Sequence, residues 1–422
     1  MKYNRTEISD GIGFSTIIDE KFKSCLLTVK FITKLDRSTA AENVLAISAL
    51  TDTSSDYNTI AAMSEILTEL YGAGLSSSAR KRGDLQILSV NSSWLADKYA
   101  LDGEDISGEM LRIFSGCLFR PNVINGEFEA ESFKINKMEL IDRIDAELNN
   151  KSGYALSRAQ EVAFCGEPAE NSCYGFRDTA EAADAASVYA AYKRILSTSQ
   201  IEAFFVAPTD DPAVEKMLRD GFSAVSRKPE ICTFKSPSPL KNELIDVEEE
   251  FDVLQCQMVM AFKSDSDDIY AMRMMSLILG ETPVSKLFAN VREKLSLCYY
   301  CPCQLSLTKN TLFVDCGIKR SNIEKTKAEI NRQINEIKNG NFSDEDIRSA
   351  VLFIQNSIEQ IGDTMSSYTG WYFERFCDGK IITAEEMTEA FKNVTKERII
   401  AAAKSFSIDS IYIMLNKEDN NS

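Results

Sequence analysis

Histidine is absent from this chain of 422 residues. The imidazole ring is the usual general base at neutral pH and the commonest zinc ligand in proteins. A Ser-His-Asp triad, a Cys-His dyad and every zinc site that needs histidine are therefore excluded. Whatever reaction this chain takes part in, it contributes no imidazole to it.

Basic charge is also scarce, because 47 lysines and arginines stand against 64 aspartates and glutamates, a net charge of −17. Nucleic acids and anionic membrane surfaces are bound mainly through Lys and Arg, so we expect neither as a partner. No uncharged apolar run approaches the ~18 residues of a membrane-spanning helix, and no apolar segment typical of a secretion signal follows the N-terminal charges. These absences favour a cytoplasmic protein.

The eleven cysteines are odd in number and scattered, so we expect reduced thiols rather than a disulfide framework. Cys298, Cys301 and Cys303, with Cys316 downstream, resemble a cluster that could bind zinc or an iron–sulfur centre. On an extended strand, however, Cys301 and Cys303 would share one face and Cys298 would lie on the other. Burial as small apolar side chains is the favoured alternative.

Hydrophobic periodicity indicates strands and helices interspersed along the whole chain. The predicted strands are 25–33, 85–92, 202–207, 253–262, 312–317 and 410–415. The predicted helices are 58–71, 106–116, 128–149, 152–164, 179–196, 268–279, 285–294, 322–338, 343–361, 364–377 and 383–405, and Thr179 and Thr383 suit the N-caps of two of them.

The two halves of the chain repeat the same features in the same order. Phe128 and Phe342 begin long predicted helices, and Tyr154 and Tyr368 follow them, both pairs at an offset of 214 residues. The segment 227–250 is rich in proline and acidic residues and has no sustained periodicity, so we interpret it as a linker. We therefore predict a duplicated α+β domain, with one copy in 1–226 and the other in 251–422.

Catalysis without histidine by a Ser-Lys dyad is a further possibility to test against the sequence. Ser78 with Lys81 and Ser238 with Lys241 both fit the spacing. Neither companion motif of such enzymes, Ser-Asp-Asn or Lys-Thr-Gly, is present. We therefore disfavour a histidine-free hydrolase that uses Ser-Lys or cysteine chemistry.

The stretch 280–300 carries the most informative pattern. Leu287, Val291 and Leu295 recur as the apolar stripe of a short helix, Arg292 lies off that stripe, and Tyr299 should fall on the next strand. A guanidinium and a phenol brought together can hold a peptide carbonyl and stabilise an oxyanion. A surface arginine and a half-buried strand tyrosine remain the alternative.

This stretch also carries a resemblance to a known family. Ser285-Lys-Leu-Phe, Val291-Arg-Glu-Lys and Leu297-Cys-Tyr299 together resemble the second-domain motif of the pitrilysin-like, or mitochondrial-processing-peptidase-like, zinc metallopeptidases, the inverzincins. The resemblance implies two duplicated α+β domains, each a mostly antiparallel sheet with helices packed on one side. It also implies that Arg292 and Tyr299, seven residues apart, contact substrate.

The zinc half of the family's site is missing from this chain. Such peptidases carry His-x-x-Glu-His in the first domain, with a distal Glu that completes the metal site. The motif would fall around Val44-Leu-Ala-Ile-Ser48, and the distal Glu on the helix 128–149, where Arg143 aligns best and Glu139 is near. We therefore expect no metal, cofactor or catalytic residue in this chain.

Some bacterial members of the family are split into a zinc-bearing subunit and a subunit that keeps only the Arg/Tyr pair. This sequence resembles the second kind, and Leu70-Tyr-Gly-Ala-Gly-Leu75 is similar to that group as well. The resemblance implies a non-catalytic subunit of a heterodimeric zinc peptidase, inactive alone, which binds peptide substrate for a zinc-bearing paralogous partner. The alternative is a catalytically dead peptide-binding or scaffold protein that forms homodimers or joins a complex.

Overall fold

The computed structural model describes residues 1–417. The strands are β1 (Lys2–Ser9), β2 (Ile12–Ile18), β3 (Ser24–Lys34), β4 (Gly74–Arg82), β5 (Leu85–Leu95), β6 (Val123–Ile124), β7 (Glu127–Phe128), β8 (Gln200–Ala207), β9 (Ile245–Phe251), β10 (Cys256–Lys263), β11 (Cys303–Ser306), β12 (Thr311–Ile318) and β13 (Ser407–Asn416). The α-helices are α1 (Ala40–Asp52), α2 (Ile60–Glu69), α3 (Ile106–Phe119), α4 (Ala130–Asp145), α5 (Lys151–Ala163), α6 (Arg177–Ala182), α7 (Ala185–Thr198), α8 (Pro212–Ser223), α9 (Ile269–Ser276), α10 (Ile323–Lys338), α11 (Asp344–Glu359), α12 (Met365–Cys377), α13 (Ala384–Lys392) and α14 (Lys396–Ser405). Within residues 1–417, no helix is both long and apolar enough to cross a membrane.

The first of two compact units contains a six-stranded sheet in the order β1-β2-β8-β3-β5-β4. Only β2 and β8 pair in parallel, so the sheet is mostly antiparallel, as predicted. Alternate residues of β3, such as Leu27 and Val29, join a core with α1, α3 and α7, while Leu26 and Ile32 join a second core with α12. Helices therefore cover both faces of this sheet, whereas the sequence predicted helices on one face.

The second unit contains a five-stranded sheet in the order β11-β12-β10-β13-β9, with only β13 and β9 parallel. Its strands β10 and β13 are buried on both faces, which explains their near-continuous apolar sequence. One face packs on α5 through Ala155, Ala159 and Ala163. Both units are thus mixed α+β layers, and the predicted fold class is confirmed.

The predicted repeat is visible in the helices, whose bounds share the offset of 214 residues. Helices α4 and α11 both have 16 residues and begin at 130 and 344, and α5 and α12 both have 13 residues and begin at 151 and 365. The units are not continuous along the chain, however: residues 361–379, with α12, belong to the first unit, and residues 146–170, with α5, to the second. The linker at 227–250 stays a prediction. In the structure, α5 follows the long helix of the first repeat but belongs to the second unit, and α12 follows the long helix of the second repeat but belongs to the first unit.

Part of the predicted linker is a strand. β9 occupies 245–251 and pairs with β13. Its exposure alternates, with Val247, Glu249 and Phe251 half-buried, but three consecutive glutamates hide this period of two in the sequence. Glu249 is accommodated on the inner side because Arg158 and the Tyr412 hydroxyl both donate hydrogen bonds to it.

Two predicted long helices are each divided in two. The prediction 179–196 corresponds to α6 and α7, which are separated where Asp184 caps α7, and 383–405 corresponds to α13 and α14, which are separated where Thr395 caps α14. Thr383 is an N-cap, as predicted, and accepts a hydrogen bond from the Glu386 N–H. Thr179 is not: it lies in the first turn of α6 and hydrogen-bonds back to the N–H of Phe176.

Candidate functional site

A short π-helical turn, Phe288–Lys294, carries Arg292, and we refer to it as the π turn. Leu287 and Val291 are fully buried beneath it, as the predicted apolar stripe requires, but Leu295 is 45% exposed. The Leu295 N–H donates to the Asn290 carbonyl, five residues back, over 3.1 Å. This wider winding turns Leu295 away from the core, so the α-helical periodicity predicted the wrong side for that residue.

Tyr299 lies in an irregular segment rather than on the predicted strand. The chain turns at Ser296, which has a positive φ of 49°, and an isolated bridge pairs Cys298 with Ile318 of β12. The Tyr299 N–H then donates to the Gly317 carbonyl over 3.4 Å. Strand β11 begins only at Cys303, so the phenol of Tyr299 projects from an anchored loop and is 76% exposed.

The fold brings Arg292 and Tyr299 together, as their spacing predicted. The Arg292 guanidinium carbon lies 5.6 Å from the centre of the Tyr299 ring and 4.7 Å from that of Phe288. Cation–π attraction to two rings orients the guanidinium without using its N–H donors. Among residues 1–417, no carboxylate lies within ion-pair distance of Arg292. In a chain with 17 more acids than bases, this arginine therefore keeps its donors available for a ligand.

A buried polar network beside Tyr299 escaped the sequence analysis. The hydroxyl of Tyr300 donates to the Gln257 side chain, and Ser152 Oγ donates to Asp315 Oδ2 over 2.7 Å. Burial raises the pKa of Asp315 to about 6, and hydrogen bonding to Ser152 and Tyr300 offsets it only in part. Tyr300 is thus held inward while its neighbour Tyr299 points outward, and the Tyr-Tyr pair in the sequence gave no sign of this division.

The four cysteines near this loop form no metal site. All eleven cysteines of the chain are free, and Cys301 and Cys303 are only 6% and 5% exposed. The Cys303 thiol donates to the Ser276 carbonyl over 3.1 Å. Among the described residues, no group of three or more Cys, Asp or Glu side chains could hold a metal ion. Burial of these thiols as small side chains is the better interpretation.

The predicted position of the zinc motif lies on α1, and its residues do not fit a metal. Val44, Leu45, Ala46 and Ile47 are buried in the core of the first unit, and Ser48 Oγ lies 3.3 Å from Ser77 Oγ. None of these apolar side chains has a ligand atom for zinc. The absence of the zinc half of the family's site is therefore built into the core packing of α1.

The residue of α4 that aligns best with the distal Glu is an arginine, whose guanidinium is not a metal ligand. Arg143, the best-aligned residue, donates to the Tyr174 hydroxyl over 2.9 Å. Helix α4 contacts α1 through two hydrogen bonds to Asp52 Oδ2, from Asn136 Nδ2 over 2.6 Å and from Ser132 Oγ over 3.4 Å. We therefore assign no step of any reaction to a metal in this chain.

The Ser238–Lys241 dyad is occupied by structural contacts. The Ser238 hydroxyl donates to Glu167, and Lys241 Nζ donates to the carbonyls of Val162 and Ala163 at the end of α5 and pairs with Asp409. These contacts place the lysine at a helix C-terminus, where cations are favoured. The dyad has no free serine–lysine geometry for catalysis.

Comparison with known proteins shows what this chain is similar to. Residues 182–352 match the protein family described as Peptidase M16 inactive domain. The chain is 24% identical over 97% of its length to the "Probable inactive metalloprotease YmfF" of Bacillus subtilis, covering 96% of that protein.

Two solved structures share the fold over the whole chain. A conserved protein from Enterococcus faecalis has a TM-score of 0.92 at 24% identity, and the match covers 99% of this chain and 100% of that one. A peptidase M16 inactive domain from Pseudomonas fluorescens has a TM-score of 0.79 at 15% identity, covering 100% of this chain and 99% of that one. These findings confirm the resemblance to the pitrilysin-like peptidases and to inactive proteins similar to them.

Proposed function

We propose that this M16-like chain is the non-catalytic subunit of a heterodimeric zinc metallopeptidase, and that it binds and orients peptide substrate for a zinc-bearing paralogous subunit. The observation that carries the proposal is the Arg292/Tyr299 pair: the half-buried Arg292 lies against the exposed Tyr299 ring, and Arg292 has no carboxylate partner among residues 1–417. The cytoplasm is the proposed location, because all eleven cysteines are free thiols.

The chemistry of the pair suits a peptide carbonyl. Arg292 offers several N–H donors in one plane, and the Tyr299 hydroxyl offers one more donor that rotates about its C–O bond. Donors aimed at a carbonyl oxygen orient the peptide and stabilise negative charge that develops on that oxygen. On this proposal the attacking water, its base and the metal all come from the partner, because no group of side chains among residues 1–417 could hold a metal ion.

The test uses the complete pair of subunits. The chain is co-purified with the product of a neighbouring gene that encodes His-x-x-Glu-His, and hydrolysis of a peptide library is measured with each subunit alone and with both. We expect hydrolysis only by the pair. The substitution Arg292→Ala should lower the rate by about 100- to 1,000-fold, since it removes donors that act on the reacting carbonyl, and Tyr299→Phe should lower it by a smaller factor.

Arg348→Ala is the matched control. Arg348 is an exposed arginine of the same unit, paired with Glu345 on α11 and outside the π turn. Its removal should leave the rate unchanged. A pair that does not associate, or a rate that Arg292→Ala leaves unaltered, would reject the proposal and favour the alternative of a homodimeric scaffold without a role in hydrolysis.

A further inference from the structure

A series of hydrogen bonds between polar side chains connects α10 to the π turn. Gln333 on α10 is only 2% exposed, and its Oε1 accepts a hydrogen bond from Asn290 Nδ2 over 3.2 Å. Asn290 Nδ2 also donates to the Lys286 carbonyl over 2.9 Å, and the Asn290 carbonyl accepts the N–H of Leu295. Asn290 is therefore bonded to Lys286, before Arg292 in the sequence, and to Leu295, after it. Gln333 in turn holds the Asn290 side chain in place.

The charge of Glu329 determines how the amide groups in this series of hydrogen bonds are oriented. Gln333 Nε2 donates to Glu329 Oε1 over 2.6 Å, and Glu329 is itself paired with Arg332 at 2.7 Å. Hydrogen bonding to Arg332 lowers the pKa of Glu329, so the carboxylate stays ionised and can only accept. The Gln333 amide must then point its NH₂ group at Glu329 and its oxygen at Asn290. This orientation matches donor to acceptor at Glu329, at Gln333 Oε1 and at the Lys286 carbonyl.

A π-helical turn needs such an external support. The winding with hydrogen bonds from residue i+5 to residue i is uncommon and occurs mostly as single turns at functional sites. Within the π turn, the side chain of Val291 packs inward while Arg292, the next residue, points to the two aromatic rings. A return to α-helical winding would rotate Arg292 about the helix axis and away from Tyr299. The contact from Gln333 to Asn290 opposes that rotation.

We infer that Gln333 is a positioning residue, which acts through Asn290 to hold the π turn and thereby places Arg292 against Tyr299 for substrate. The inference rests on the proposed function for its effect on hydrolysis, but its structural part is tested on the chain alone. The side-chain hydrogen bonds of Gln333 described in residues 1–417 go to Asn290 and Glu329, so its effect on Arg292 is indirect.

The first measurement is amide hydrogen exchange in the isolated chain. Gln333→Leu keeps the size of the side chain and removes its hydrogen bonds, and Asn290→Ala removes the same link from the more exposed side. Each should speed exchange at Leu295 by about fivefold, the effect of one lost hydrogen bond. Asn331→Leu is the matched control, because Asn331 lies on the same helix and bonds only to the Lys327 carbonyl of α10. Unaltered exchange at Leu295 in both variants would refute the inference, whatever the outcome for hydrolysis.

The second measurement is a double-mutant cycle in the reconstituted pair. Gln333→Leu should lower kcat more than it changes KM, and it should have little further effect when Arg292 is already alanine, because the two residues act through one contact. Additive losses would show that Gln333 acts elsewhere and would overturn the inference. If Arg292→Ala alone has no effect, the proposed function fails, and the exchange result still decides the role of Gln333.

Discussion

Replacing Asp315 with asparagine should stabilise this protein at neutral pH. The Asp315 carboxylate lies on β12 with Ser152 as a hydrogen-bond donor, and no lysine or arginine among residues 1–417 pairs with it. Burial raises its pKa from 3.8 to about 6. At pH 7 the folded protein must therefore keep a charge in a poorly solvated position, which asparagine, with the same shape and no charge, avoids.

The size of the effect follows from linkage between proton binding and folding. A pKa of about 6 in the folded chain and 3.8 in the unfolded chain corresponds to about 3 kcal/mol at 1.36 kcal/mol per pH unit. Because the folded pKa is the higher one, the stabilising contribution of protonated Asp315 is complete below pH 3.8 and is lost as the pH rises to about 6. We expect Asp315→Asn to exceed the wild type by about 2–3 kcal/mol at pH 7 and above, with the difference vanishing near about pH 4.

The assay is urea-induced unfolding of wild type and variant at several pH values from about 4 to 8. Asp252→Asn is the control, because Asp252 is an exposed carboxylate of the same unit, in the turn between β9 and β10. It should show no such pH-dependent gain. A variant that is less stable than the wild type at pH 7, or a difference that is the same at every pH, would refute the assignment of a buried, unpaired carboxylate.

Three further predictions follow from the structure. Asp409→Ala should destabilise the second unit by about 3–5 kcal/mol in urea unfolding, because the nearly buried Lys263 loses the carboxylate it shares with Lys241; a loss below about 1 kcal/mol would show that the lysines need only their carbonyl partners. Ser343→Ala should cost about 1 kcal/mol, because Ser343 and Asp346 form the capping box of α11, and a change in α11 helicity without a change in stability would contradict this. The isolated chain should retain no stoichiometric zinc after dialysis, as measured by mass spectrometry of the metal, and one zinc per chain would overturn our account of α1.

The repeat was predictable because it depends on local signals. The phenylalanine before each long helix and the tyrosine after it recur at a fixed offset, and the helices they mark have equal lengths in the structure. The exchange of α5 and α12 between the two units was not predictable. An apolar stripe such as Ala155, Ala159 and Ala163 shows that α5 is packed on one side. It does not show which of two similar sheets provides the surface.

The sequence predicted only those site residues whose type and spacing form a recognisable motif. The spacing of Arg292 and Tyr299 led directly to a contact that the structure contains. Leu295 fits the stripe of an ordinary α-helix, and only the tertiary support from Gln333 and Asn290 distinguishes a π turn from that helix. Such support involves residues more than 40 positions apart with common polar side chains, which no local pattern marks.

The two halves of the expected site differ: the position of the zinc motif follows the usual rules of core packing, and the Arg292/Tyr299 pair does not. On α1, Val44 and Ile47 make the place of the zinc motif an ordinary part of the core. In the second unit, Tyr299 leaves a large ring 76% exposed, and Arg292 has no carboxylate partner among residues 1–417 of an acidic chain. Stability alone favours paired charges and covered rings, so positions that break this preference within a well-packed domain are expected at functional sites. The open position of this pair supports the proposed role in binding peptide, which the Arg292→Ala substitution tests.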